Sequence, residues 1–291
     1  MNYKFHSGFA GHIDAMMEQR SILGYSVEDN RIRLANFDRF CAASFPNKTT
    51  LTQEIAFAWC NDAKGNAGSK RASVIRNFGR YLLSVGEEAY VMPPLFFPTQ
   101  KRTLPYICSD SELKKFFEAT DQLPSDCRNR LLEYTIPVIF RLQYACGLRP
   151  QEVRKLRRAD INFSDKTIYI SDAKHYKDRR LAVNECVMEM CRKYDWIAEI
   201  IIPGRTYFFQ SPAGKAYTSC WLSDSFSKCW SMSGNGDKRS TCVPYSLRHR
   251  YATETLMRWL EEGKDLDTWL PYLSAFMGHA SFSATYYYYD K

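Results

Sequence analysis

A stretch that is rich in proline and has no periodicity divides this 291-residue chain and limits what it can become. Between Glu87 and Leu104, Pro93, Pro94 and Pro98 interrupt the sequence and no helical period survives. Proline removes a backbone donor and fixes φ, so such a stretch reads as a connector. It predicts a domain over 1–90, a linker over 91–104 and a second domain over 105–291. About two domains of ordinary size suit the length. The second domain opens cleanly: Ser109-Asp110-Ser111-Glu112 is a capping box ahead of Leu113, Phe116 and Phe117.

The first domain reads as helices with short breaks. Phe37, Phe40 and Cys41 recur at helical spacing, and Ile55, Phe57, Ala58 and Trp59 make a mixed face. The clearest helix runs from Ser69 to Val85, with Val74, Phe78, Tyr81 and Leu82 as one apolar stripe. Its other side carries Lys70, Arg71, Arg76 and Arg80. That side is either a solvated surface or a face turned to phosphates. Lys101 and Arg102, near the end of the linker, would reach phosphates if the linker crosses DNA.

In the second domain, Asn129 to Ala145 is a long apolar helix stopped by Gly147, and Pro150 suits the first turn of a short helix with Val153 and Leu156 inward. Two β-type runs follow, Thr167 to Ile170 and Arg180 to Val183, with the polar stretch Asp172 to Arg179 as a hairpin tip. Further helical patterns cover Glu185 to Tyr194, Trp221 to Trp230, Pro244 to Leu260 and Thr268 to Met277. The fold class is therefore mainly α with a small β-sheet, an α+β second domain behind an all-α first one.

A net charge of +8, spread over both domains, favours an anionic partner without requiring one. Ten cysteines without a C-x-x-C pair, and five scattered histidines, argue against zinc and for reduced core thiols. No stretch approaches the ~20 apolar residues of a membrane span, and the first residues show no signal-peptide run. The expectation is a soluble cytoplasmic protein.

Three fragments carry chemistry. In Cys146-Gly147-Leu148-Arg149-Pro150-Gln151-Glu152, Arg149 falls between a helix stop and a helix start, where free N–H groups favour an anion. Glu152 lies one turn on and can hold the guanidinium. By itself, the fragment also fits a surface arginine beside a turn. In Pro244-Tyr245-Ser246-Leu247-Arg248-His249, Tyr245 and Arg248 are three apart and share a helix face. In Met277-Gly278-His279, the break after a helix is expected to expose the imidazole; Tyr286, Tyr287, Tyr288 and Tyr289 follow. A phenol with a pKa of about 10 becomes a useful nucleophile against phosphate where cations gather the developing charge.

The order G-L-R-x-x-E, a hairpin lysine, L-R-H, G-H, and a tyrosine nine residues later resembles the tyrosine recombinases, which include phage and transposon integrases and the Xer enzymes. The resemblance is strong from about Cys108 to Tyr288. The first domain matches only in size, helical character and its basic helix, as in the family's SAM-like core-binding domain. The resemblance implies that Arg149 and Arg248 clamp the scissile phosphate and that Glu152 buttresses Arg149. Lys174 would protonate the leaving 5′ oxygen, with Lys177 its competitor and otherwise a phosphate contact. His279 would hydrogen-bond the phosphate, and Tyr288 would form a 3′-phosphotyrosine, with Tyr287 and Tyr289 as neighbouring alternatives.

Two positions depart from the family pattern. Tyr245 stands where the family usually has a histidine, and a phenol is a poorer base near neutral pH. Asp290 and Lys291 follow Tyr288 where members commonly have a histidine and a tail that docks on a neighbouring subunit; the expectation is that this tail is missing.

What the resemblance implies is site-specific DNA recombination or integration for a mobile element, without metal, nucleotide or other cofactor. The partners would be double-stranded DNA, gripped by both domains as a C-shaped clamp, and further copies of the chain, as a tetramer on paired sites. Accessory DNA-bending proteins would be compatible with this, and the place of action would be the bacterial nucleoid. Two alternatives stay open: a type IB-like topoisomerase, and a catalytically impaired sequence-specific DNA-binding protein of the same fold.

Overall fold

The computed structural model describes residues 3–25, 27–63, 67–94, 105–124, 127, 129–171, 178–236 and 242–279. The chain separates into two compact units, Met1–Thr103 and Leu104–Lys291. Among the described residues no helix is long and apolar enough to cross a membrane.

The described part of the first unit is helical: α1 (Ala10–Ile22), α2 (Glu28–Ser44), α3 (Gln53–Asn61) and α4 (Ala67–Ser84). Its core is aromatic. Phe37 packs on Phe9, Trp59 and Phe78 with ring centroids 5.4, 5.1 and 5.9 Å apart, and all four are fully buried. Helix α4 buries Val74, Phe78 and Leu82 of the predicted stripe, together with Ile75, and leaves its fourth member, Tyr81, half-buried. Its cationic side is divided. Lys70 and Arg80 are exposed. Arg71 donates to the Trp59 carbonyl at 2.5 Å and to Asp62 at 3.1 Å. Arg76 donates to the carbonyls of Met92 and Pro93, both at 2.7 Å. Two of the four cations thus hold their own unit together. Lys101 and Arg102 lie outside the described residues.

In order, the second unit contains α5 (Asp110–Asp121), α6 (Leu132–Ala145), α7 (Pro150–Lys155), β1 (Ile161–Asn162), β2 (Thr167–Ile170), β3 (Arg179–Ala182), α8 (Glu185–Ile201), α9 (Ser219–Met232), α10 (Pro244–Glu261) and α11 (Leu266–Met277). The fold is mainly α with one small antiparallel sheet, ordered β1-β2-β3. The expected capping box closes α5: the Glu112 backbone N–H donates to Ser109 Oγ at 3.3 Å, and the Ser109 backbone N–H donates to Glu112 at 2.8 Å. Asn184 and Thr218 cap α8 and α9 in the same N-terminal manner, which starts both helices before their first apolar residue.

Strand β3 begins one residue earlier than its hydrophobic run indicates, pairing Arg179 with Ile170 and Leu181 with Ile168. Ile168, Ile170 and Leu181 are buried, so strand alternation turns Arg179 toward the core-facing side. The main core gathers Phe116, Phe140 and Phe226, with centroids 4.7 to 5.5 Å apart, between α5, α6 and α9. A second cluster joins α10 to α11 through Leu256, Trp259, Leu266, Leu270, Leu273 and Met277. The α11 positions recur at helical spacing, so burial of that stripe fixes where the end of α11 lies.

Candidate functional site

The site is assembled where helices end. Helix α6 stops at Gly147, whose φ of +56° is cheap for glycine and costly for other residues. The Leu148 N–H returns to the Gln143 carbonyl at 3.0 Å, the Schellman closure. The Gly147 carbonyl is left pointing outward. An added Cβ on Gly147 would stand 2.6 Å from the Tyr251 ring, so glycine is required twice over. Helix α11 ends in the same way at Gly278, φ +65°, with the His279 N–H bonded to the Ser274 carbonyl at 2.9 Å.

That ending leaves three successive carbonyls, of Phe276, Met277 and Gly278, without helical partners. Each accepts from a different arginine. Arg179 Nε donates to Phe276 O at 2.7 Å, Arg248 Nη2 to Met277 O at 2.7 Å, and Arg149 Nη2 to Gly278 O at 2.5 Å. Arg248 Nη1 also donates to Gly147 O at 2.6 Å, so this one guanidinium joins the ends of α6 and α11. The negative end of a helix dipole suits this use of cations. Arg248 comes from α10, held against α6 by Gln143 Nε2 donating to the Pro244 carbonyl at 2.8 Å.

Glu152 ties two of these arginines together. Its Oε1 accepts from Arg149 Nη1 at 2.6 Å and from Arg179 Nη1 at 3.0 Å. Its Oε2 accepts from the Arg149 backbone N–H at 2.8 Å and from Arg179 Nη2 at 3.0 Å. Burial pushes this carboxyl upward, but hydrogen bonds and charge from Arg179, with the backbone N–H and charge of Arg149, outweigh it and hold Glu152 below the usual carboxylate range. Glu152 is therefore an anion at neutral pH.

The structure brings Arg149, Glu152, Arg248 and His279 together around the end of α11. One expectation needs correction. His279 is not exposed by the glycine break; it is 9% exposed, because the Schellman turn folds it back over the helix end. Tyr245 and Arg248 both lie on α10, three residues apart as expected, but they differ in burial. Arg248 is completely buried while Tyr245 remains 37% exposed, with its ring 4.9 Å from that of His249. Arg248 reaches inward for two carbonyls. Lys174, Lys177, Tyr287, Tyr288 and Tyr289 lie outside the described residues. Arg179 is the member that the sequence reading missed.

Burial lowers the pKa of His279 to about 3, and the charges of Arg248, Arg149 and Arg179 push the same way. In the unfolded chain a histidine titrates near 6.5. The unfolded state therefore binds the extra proton between about pH 6.5 and 3, so this group's contribution to stability falls as pH falls through that window. The expected result is an imidazole signal for His279, in NMR spectra of the DNA-free protein, that stays in the neutral form from pH 8 down to pH 5. A titration midpoint near 6.5 would contradict it.

A cluster of desolvated arginines around a neutral, hydrogen-bonding imidazole suits a phosphate or another oxyanion. Comparison with known proteins gives the family. Residues 108–291 match the phage integrase family. The Sinorhizobium fredii protein y4rE, named provisionally as an integrase/recombinase, is 26% identical over 95% of this chain and 89% of its own. Tyrosine recombinase XerD of Rickettsia conorii is 24% identical over 96% of this chain and 92% of its own. Among solved structures, XerH recombinase bound to a palindromic difH substrate in a post-cleavage complex shares the fold at a TM-score of 0.67. It is 16% identical, over 96% of this chain and 80% of that one. A lambda integrase tetramer bound to a Holliday junction shares the fold at a TM-score of 0.61 and 14% identity, over 94% and 77% of the two chains. With the family matched over most of its length, this chain belongs to the phage integrase family of tyrosine recombinases.

Proposed function

We propose that the protein breaks and rejoins duplex DNA at specific sites through a 3′-phosphotyrosine on Tyr288, and exchanges strands between two sites as a tetramer. The observation that carries this is the set of arginines fixed on three successive carbonyls, with His279 next in the chain. Positive groups already locked in place cost no reorganisation when charge develops on a phosphoryl group. Arg149 and Arg248 would turn their remaining N–H donors to the non-bridging oxygens. Neutral His279 would add a hydrogen bond. Lys174 would protonate the leaving 5′ oxygen, and Tyr245 would take the place of the family's usual histidine as a hydrogen-bond donor. The phosphotyrosine conserves the bond energy, and a 5′ hydroxyl of the partner duplex attacks it. The XerH post-cleavage complex and the lambda integrase tetramer on a Holliday junction are such states of those proteins.

The test uses candidate sites taken from any direct repeats found in the DNA flanking the gene. Purified protein, with EDTA present, is incubated with supercoiled plasmids carrying no, one or two copies of the repeat. The expected outcome is two product circles from the two-copy plasmid and no relaxation of a plasmid without the site. Relaxation of the plasmid without the site would favour topoisomerase activity, and specific binding without cleavage would favour a DNA-binding protein that has lost catalysis.

A further inference from the structure

An orienting carboxylate beside a catalytic arginine carries a hidden cost. Glu152 fixes Arg149, but an anion 2.6 Å from the guanidinium also cancels the charge that a phosphate would feel. In a buried site that cancellation is large, since charge interactions there are only weakly screened. Arg179 answers this problem. Its forked Nη1 and Nη2 face both oxygens of Glu152 at 3.0 Å, and its Nε is used on the Phe276 carbonyl. Its side chain is 9% exposed and turned away from solvent. With Arg179 present, Arg149, Glu152 and Arg179 sum to one positive charge; without it, they sum to zero.

Resting on the reading of this site as a phosphate-binding one, we propose that Arg179 is a positioning residue that supplies the counter-charge to Glu152, so that Arg149 keeps its positive charge for the substrate. Two features support a role through charge as well as packing. Glu152 receives four donors on two oxygens, filling a carboxylate's capacity, so Arg149 holds only half of it. Gly278 lies so close that a Cβ there would sit 2.8 Å from Arg179 Nη1, which fixes the guanidinium against the turn that carries His279.

The test is a suppressor experiment in the full chain. Single-turnover cleavage of a nicked duplex is measured at saturating DNA, with affinity measured separately by mobility shift. Arg179→Met is expected to cleave at least about tenfold more slowly while binding DNA within about threefold of wild type. Adding Glu152→Gln to that variant removes the uncompensated anion, and the double variant is expected to be faster than Arg179→Met alone. Arg179→Lys keeps the charge and is expected to stay within about tenfold of wild type. Arg179→Gln is a second neutral variant should Arg179→Met fail to fold. A double variant as slow as or slower than the neutral single variant, or Arg179→Lys no better than Arg179→Met, would overturn the counter-charge role. If the wild type cleaves no DNA, the phosphoryl-transfer reading fails by itself. Arginine side-chain 15N spectra titrated with inorganic phosphate then decide the matter for Arg179. Weaker phosphate binding in Arg179→Met that returns in the double variant supports the proposal, and equal binding in all the variants overturns it.

Discussion

Arg248→Ala is expected to slow DNA cleavage by about a thousandfold and to destabilise the second unit by roughly 3 kcal/mol. Both effects have the same origin. Arg248 is completely buried, and its guanidinium bridges the Gly147 carbonyl at the end of α6 and the Met277 carbonyl at the end of α11. Alanine orphans two buried acceptors, at about 1–3 kcal/mol each, and leaves a cavity of guanidinium length. Against this stands the desolvation penalty of a buried cation, which alanine relieves. We expect the orphaned carbonyls and the cavity to win, because both acceptors belong to helix ends and each accepts a hydrogen bond from Arg248. The catalytic loss is a separate effect, since no other residue replaces the charge. Arg248→Lys separates the two. A lysine retains charge but cannot fork to carbonyls on two helices, so it should keep more activity than alanine and still melt below wild type. Thermal melts and single-turnover cleavage, both run well below the melting transition, check this. A fully active Arg248→Ala would remove this residue from the chemistry.

Much of this arrangement can be read in the sequence. Gly147 before Arg149 and Gly278 before His279 mark helix ends, and helix ends are where glycine leaves carbonyls open. The capping box at Ser109, the strand at Thr167–Ile170 and Pro150 at the first turn of α7 are local signals that the tertiary structure keeps. The two-strand hairpin is legible, but β1 is not, because Ile161–Asn162 is too short to show an alternation. The predicted helices in the second unit are right in place but short by several residues in α8, where the pattern continues past Tyr194 through Ala198 to Ile201.

What the sequence hides is the use made of each arginine. Arg179 looks like one more cation in a polar hairpin. Its role depends on strand register, which places 179 and 181 on the same side, and Leu181 is buried. An arginine two residues before a buried strand leucine is the signal that could have found it, since an inward-facing cation must meet an anion or carbonyls. The buried state of Arg248 and His279 is hidden for a related reason. Both depend on where α11 ends relative to α6 and α10, a long-range contact that helical periodicity does not encode. Arg71 and Arg76 teach the converse lesson: they sit on the cationic side of α4, yet they bind their own unit's carbonyls.

The nucleophile carries the largest expected effect. A phenol with an ordinary pKa of about 10 attacks phosphate only where positive charge is already gathered, and in the proposed mechanism the arginine cluster around Glu152 supplies that charge. Tyr288→Phe removes one oxygen and leaves the ring, so the loss should be complete while folding and DNA affinity change little. Tyr287→Phe and Tyr289→Phe should retain cleavage, which makes the run of tyrosines its own control. The decisive measurement uses a duplex nicked near the cleavage site, from which the freed 5′ end is lost and the covalent complex accumulates. The account predicts an adduct with the wild type, its DNA joined to Tyr288 by peptide mass spectrometry, and none with Tyr288→Phe. An adduct that persists in Tyr288→Phe, or one joined to a neighbouring tyrosine, would contradict it.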